Sequence, residues 1–241
     1  MARRLEGSDD ATAIIREGLV QVDGAIVTNP KSMVARDARI VVKARRDLRG
    51  KVKLAAALDA LAVPLVVAGR VALDVGASTG GFTQELLDRG AERVYSVDVG
   101  FGQLLGSLRQ DPRVVNLEAT NAADLSEALV PDTVDVVVVD VSLTPLAEIV
   151  PQVSSRVRLA ADADLVALVK PMFELARGSL PTVASELAGA ADRAVAAIAG
   201  AGWDVGQVFE SAVRGRKGAV EFIVRATRSQ PVTGPFAAQG A

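Results

Sequence analysis

Apolar residues along this chain come in two rhythms. From residue 70 onward, short and nearly continuous apolar runs alternate with stretches in which apolar positions recur every three or four residues. The runs predict strands at 70–75, 93–98, 113–118, 134–141, 164–170, 205–211 and 219–226. The helical periodicity predicts helices at 80–89, 102–110, 123–129, 145–158 and 183–200. Strands as uniformly apolar as Val134 to Val139, alternating with helices, imply a parallel sheet covered on both faces. The last two runs, around Val208 and Phe222, are too close together for a crossover helix and should pair antiparallel.

Ahead of that body the pattern is shorter and richer in turns. Thr12 to Glu17 reads as a short helix, Gly18 to Val27 alternates around Asp23-Gly24 as a hairpin does, and Asp37 to Val42 reads as one more strand. Residues 44–50 read as a linker. Beyond it, Leu54, Ala57, Leu58 and Leu61 share one helical face, and Pro64 ends that helix. The tail 229–241 is expected to be disordered. Three regions result: 1–47, 48–228 and 229–241.

Composition removes several chemistries. The 241 residues contain no cysteine and no histidine. That excludes disulfides, thiol nucleophiles, Cys/His zinc sites and imidazole acid–base catalysis, so no metal is expected and any base must be Lys, Asp, Glu or Tyr. No apolar run approaches the length of a membrane span, and the first residues lack the apolar core of a signal peptide; a cytoplasmic protein with no membrane partner is expected. Net charge is −2, but residues 1–53 carry 12 Lys/Arg against 7 Asp/Glu and the remainder 15 against 22. A basic lobe on an acidic body suits a polyanionic partner, whereas the bland alternative is a solvated basic linker.

The most informative stretch is Leu73-Asp74-Val75-Gly76-Ala77-Ser78-Thr79-Gly80-Gly81-Phe82. A buried strand, a glycine-rich turn and a helix N-terminus form a place to hold a nucleotide-like ligand. Ser78 stands where a dinucleotide fingerprint needs its second glycine, and no lysine follows to make a P-loop. A second strand ends at Asp98, where a carboxylate can accept from both hydroxyls of a ribose. With Asp74 available to a cationic group, the set fits S-adenosylmethionine. The alternative is a structural turn that holds no ligand. The parallel sheet closed by an antiparallel hairpin matches the class I, Rossmann-like methyltransferase architecture: α/β, seven strands, mostly parallel.

Two further strand ends carry polar residues, Asp140 in Val139-Asp140-Val141-Ser142 and Lys170 in Val169-Lys170-Pro171-Met172-Phe173-Glu174. A lysine at the end of an apolar strand is costly without a partner or a task, and Asp140 is the candidate partner; a purely structural ion pair is the alternative. The segments "LDVGASTGGFTQELLDRGAERVYSVDVGFGQL", "DPRVV", "VDVSL" and "LVKPMFE" closely resemble the TlyA group of methyltransferases, which join an S4 domain to an FtsJ-like catalytic domain and are often labelled haemolysins. The segment "GLVQVDGAIVTNPKSMVARDARIVV" resembles the second half of an S4 RNA-binding domain, so region 1–47 is expected to be a truncated S4-like lobe.

The resemblance implies methylation of ribose 2′-hydroxyls, with ribosomal RNA or ribosomal subunits as partners, and a Lys-Asp-Lys-Glu set at Lys53, Asp140, Lys170 and Glu221. Lys51 competes with Lys53 for the first position. It also implies cofactor contacts at Asp74, Gly76, Ala77, Ser78, Thr79, Gly80, Gly81, Phe82, Asp98, Asn121 and Asp140. The chain has "DVSL" and "KPMFE" where the family usually has "DLSF" and "KPQFE", so its departures fall on the acceptor side. A ribose hydroxyl is a poor nucleophile, so such a site needs a positioned base and stabilisation of developing negative charge. Lys170 is the candidate base, Asp140 its aligning partner, and Glu221 the holder of Lys53 or of the ribose. Two other readings remain: a methyltransferase acting on a small molecule, and a non-catalytic RNA-binding or ribosome-assembly factor. Membrane lysis has no support, because there is neither a span nor an evident amphipathic cationic helix. Oligomeric state is not legible in the sequence.

Overall fold

A computed structural model describes residues 11–16, 18–42 and 48–228. The expected tail 229–241 and the basic residues of 43–47 lie outside them. A short helix α1 (Ala11–Arg16) precedes a small antiparallel sheet of β1 (Val20–Val22), β2 (Ala25–Ile26) and β3 (Ile40–Val42), in the order β2-β1-β3. The hairpin turns at Asp23 and Gly24, both at positive φ, which keeps the turn's twist compatible with the paired strands.

The body is one seven-stranded sheet. Its strands are β4 (Val71–Val75), β5 (Arg93–Asp98), β6 (Val114–Glu118), β7 (Val134–Val139), β8 (Leu159–Val169), β9 (Trp203–Glu210) and β10 (Phe222–Arg228). Their spatial order is β6-β5-β4-β7-β8-β10-β9. The pairs from β6 through β8 are parallel, and β10 runs antiparallel to both β8 and β9. Alternate residues feed two apolar layers: Leu73 and Val75 pack on one face, Ala72 on the other. Helices α5 (Leu146–Arg156) and α7 (Ala184–Gly200) supply Val150, Val153, Ala194 and Ile198 to the first layer. Helices α2 (Arg49–Asp59) and α3 (Gly81–Asp88) supply Leu54, Leu58, Phe82 and Leu86 to the second.

Several expected boundaries move. The linker expected through residue 50 ends earlier, since Arg49 and Gly50 open α2. The helix expected at 102–110 contracts to α4 (Gly106–Arg109), and that at 123–129 to a single 3-10 turn, Ala122–Asp124. The strand expected at 164–170 begins at Leu159, because Val134 of β7 pairs with Leu159 and carries β8 past its polar start. Just past the end of β8, Lys170 caps a short helix, α6 (Pro171–Glu174).

Two close backbone approaches set the position of the site. A Cβ on Gly81 would sit 2.7 Å from Gly50 Cα, so two glycines let α2 and α3 touch backbone to backbone. A Cβ on Gly76 (φ 92°) would sit 2.5 Å from the carbonyl oxygen of Asp140. These contacts draw α2, the turn after β4 and the end of β7 to one point.

Candidate functional site

That point is the wall of a cavity of about 1130 Å³ at the carboxyl ends of the central strands. Gly76, Ala77, Ser78, Thr79, Gly81 and Phe82 line one part; Lys53, Asp140, Lys170 and Glu221 line another. These four ionisable residues come from four separate places: α2, the end of β7, the end of β8 and the residue before β10. Antiparallel pairing of Phe222 with Val169 brings Glu221 level with Lys170 although 51 positions separate them along the chain.

Their charges alternate in a line. Lys53 Nζ donates to Glu221 Oε2 at 2.6 Å and lies 3.9 Å from Asp140 Oδ2. Lys170 Nζ lies 2.6 Å from Asp140 Oδ1 and donates to Ser142 Oγ at 3.0 Å. The line therefore runs Glu221, Lys53, Asp140, Lys170, Ser142. Lys53 and Glu221 are almost wholly covered, with side chains 7% and 6% exposed, and each ion is balanced by its neighbour. Lys170 and Asp140 face more of the cavity.

Lys51 is turned elsewhere. Two positions apart on a helix means about 200° around its axis, and Lys51 Nζ pairs instead with Asp88 of α3 at 2.8 Å. Lys53 is the lysine that reaches Asp140.

Four of the residues expected to touch a cofactor do not line this cavity: Asp74, Gly80, Asp98 and Asn121. Asp74 is wholly buried behind the wall. Its Oδ2 accepts from Thr83 Oγ1 at 2.7 Å, while its Oδ1 has no partner. Burial pushes its carboxyl up to about 7; the Thr83 hydrogen bond opposes the shift, and the neighbouring Asp140 and Asp98 add to it. Gly80 caps α3 in the left-handed region, with the place of a side chain taken by Leu104 and Leu108. Asp98 ends β5 and accepts from the backbone N–H of Ser78 (2.8 Å) and of Gly100 (2.7 Å), one on each oxygen. Each oxygen keeps a second lone pair, enough to receive a ribose hydroxyl. Asn121 Oδ1 accepts from Ala123 N at 3.0 Å and caps the 3-10 turn.

The turn nonetheless fits the group that the sequence suggests. Gly76 and Gly81 keep side chains out of the wall, Asp98 stands two strands' width from Asp140, and α3 aims its first N–H groups at the turn. S-Adenosylmethionine laid along this turn would have its ribose near Asp98 and its reactive end toward Asp140.

Sequence reading missed several residues of the site. Ser142 Oγ accepts from Lys170 Nζ at 3.0 Å. Arg49 donates through Nη2 to the carbonyls of Arg214 and Gly215 (2.7 Å for the latter), tying the start of α2 to the loop that carries Glu221. Gly215 packs against Glu221 so closely that a Cβ would collide with its carboxylate. Leu143 lines the cavity mouth, 83% exposed and at φ 74°. None of these contacts is periodic in sequence; only an exposed apolar residue beside the Asp140 motif could have flagged Leu143.

Residues 47–228 match the FtsJ-like methyltransferase family. The chain is 45% identical over 174 residues to the 16S/23S rRNA (cytidine-2'-O)-methyltransferase TlyA of Mycobacterium tuberculosis, covering 70% of this chain and 63% of that protein. The chain thus spans less than two thirds of that relative's length. Two solved structures named as hemolysins are also similar. One, from Streptococcus thermophilus, is 29% identical with a TM-score of 0.71 and covers 92% of this chain and 84% of that one. The other, from Lactococcus lactis, is 32% identical with a TM-score of 0.70 and covers 77% and 89%. No helix among the described residues is long and apolar enough to cross a membrane.

Proposed function

The chain belongs to the FtsJ-like methyltransferase family, and we propose that it methylates a ribose 2′-hydroxyl in ribosomal RNA, using Lys53, Asp140, Lys170 and Glu221. The observation that carries this reading is the alternating line of those four side chains beside the glycine turn. The 45% identity to an rRNA 2′-O-methyltransferase supports the choice of acceptor. S-Adenosylmethionine supplies an electrophilic methyl group on its sulfonium.

The chain's own residues do the rest. A lysine acting as base must present a lone pair. As that base, Lys170 is flanked by Asp140 on one side and Ser142 on the other, and its remaining direction is left for the cavity it lines. That direction receives the proton of the ribose hydroxyl. Lys53, fixed by Glu221 and close to Asp140, sets the carboxylate's position and lends positive charge where the hydroxyl oxygen becomes negative. Displacement is in line, so holding hydroxyl and methyl in register accounts for much of the rate. On this reading the sheet of β1 to β3 belongs to a truncated S4-like region that contacts RNA, and 48–228 is the catalytic domain.

The test is transfer of labelled methyl from S-adenosylmethionine into isolated ribosomal subunits and naked rRNA, with Lys170→Ala alongside. Label that appears with the parent, vanishes with the variant and maps to a 2′-O-methyl nucleoside is the expected result. No label in RNA despite measurable cofactor binding would overturn rRNA as acceptor and leave a small molecule as the substrate.

A further inference from the structure

The loop between β9 and β10 carries Glu221 at its end and three cations before it: Arg214, Arg216 and Lys217. Arg214 is engaged, its guanidinium 2.8 Å from Glu210. Arg216 and Lys217 have no acidic partner among the described residues, are exposed, and both line the mouth of the cavity. Unpaired cations stand out here, because residues 54–241 carry seven more acidic than basic side chains.

The loop is built to hold them still. Gly215 N donates to Ala219 O at 2.8 Å, Ala219 N to Arg216 O at 3.2 Å, and Gly218 N to Gly215 O at 3.3 Å. Lys217 is kept in the left-handed region at φ 55°, a conformation that a lysine adopts only when its surroundings impose it. Arg49 grips the loop's stem through the carbonyls of Arg214 and Gly215. Sheet order decides which ligand these cations face. The glycine turn follows β4, whereas this loop lies beyond β8, on the β10–β9 edge. It is on the acceptor side, away from the cofactor cradle.

We propose that Arg216 and Lys217 form a clamp for the phosphodiester backbone of the RNA strand whose ribose enters the site. This deepens the reading above and rests on it. Two cations close in sequence to Glu221 fix the backbone and the reacting ribose from a single rigid loop, so phosphate contact and hydroxyl alignment share one register. The catalytic domain then carries its own RNA contact, independent of the basic N-terminal lobe. Leu143, exposed and lining the same cavity, offers an apolar surface against which the bound nucleotide can rest.

The test is a double variant, Arg216→Gln with Lys217→Asn; asparagine tolerates the left-handed backbone, so charge is lost without refolding the turn. RNA methylation kinetics and RNA binding are measured against salt, beside S-adenosylmethionine affinity and melting temperature. The expected result is a KM for RNA raised roughly tenfold and a log–log salt slope shallower by about two, one per phosphate, with cofactor affinity unchanged. The single variant Arg216→Gln, outside the strained position, should show about half the slope change. Parent and variants with the same RNA affinity and slope would overturn the clamp while leaving the RNA reading intact. Weakened cofactor binding with RNA affinity unchanged would also overturn it. A parent that neither binds nor methylates RNA would sink the reading itself, and the clamp with it.

Discussion

The base chemistry proposed for Lys170 reduces to three directions around one nitrogen, two of them occupied by Asp140 and Ser142. Lys170→Ala should cut kcat by about 10²-fold or more, the range of a positioned base, with S-adenosylmethionine affinity retained. Ser142→Ala removes one of the two restraints and leaves the amine. Its kcat should fall by about tenfold while cofactor affinity holds, since the loss is of orientation only. Asp74 makes a different prediction, about pH. Its folded carboxyl titrates near 7 against an ordinary 3.8, because burial and the nearby Asp140 and Asp98 outweigh the Thr83 hydrogen bond. Between those values the folded chain holds a proton that the unfolded chain releases, so this group's contribution to stability falls as pH rises from about 4 through 7. Asp74→Asn should flatten that decline, read as a smaller difference in melting temperature between pH 5 and pH 8.

Where α2 meets α3, the Gly50–Gly81 backbone contact sets where Lys53 meets the cavity wall. Ala at Gly81 puts a Cβ 2.7 Å from Gly50 Cα and 2.8 Å from Lys51 N, and only backbone movement relieves that. Ala at Gly50 meets Gly81 Cα at 3.2 Å, a milder overlap. Gly81→Ala should therefore cost about 1–3 kcal/mol in urea unfolding, Gly50→Ala less, and both should lower kcat by displacing Lys53. The elements themselves were largely legible, because the strands are long apolar runs and a parallel sheet buries both faces. The misjudged boundaries have local causes. Ala160 to Asp162 look like a loop and are strand only because Leu159 finds Val134. The helix expected from residue 102 is delayed by Gly102 at φ 74° and begins only at Gly106. The four central site residues were read by resemblance to neighbouring motifs. Arg49 and Ser142 escaped because their contacts join segments that sequence patterns do not connect, as Arg49 and Gly215 show across 166 positions.

Taken whole, the sheet has a working end and a holding end. The carboxyl ends of β4, β7 and β8 open on the cavity, whereas at the opposite end Asp164 of β8 is buried between two guanidinium groups. Arg70 Nη1 donates to its Oδ2 at 2.8 Å and Arg225 Nη2 lies 2.5 Å from its Oδ1. Arg70 precedes β4 and Arg225 belongs to β10, so one carboxylate ties together strands on either side of β7 and β8. Asp164→Asn would leave Arg225 facing a neutral amide and Arg70 with only its 3.4 Å contact to the exposed Asp162. Breaking a fully buried pair costs roughly 3–5 kcal/mol, and the partial exposure of Arg70 reduces that to about 2–3 kcal/mol. Chemical denaturation should show that loss. Methyl transfer per folded molecule, measured well below the melting temperature, should match the parent, because no residue of the site touches Asp164. A variant equally stable would mean that the two arginines find water in its place. A stable variant with lost activity would mean instead that the two ends of the sheet are coupled through β8, whose Val166 to Val169 run unbroken from the cluster to Lys170.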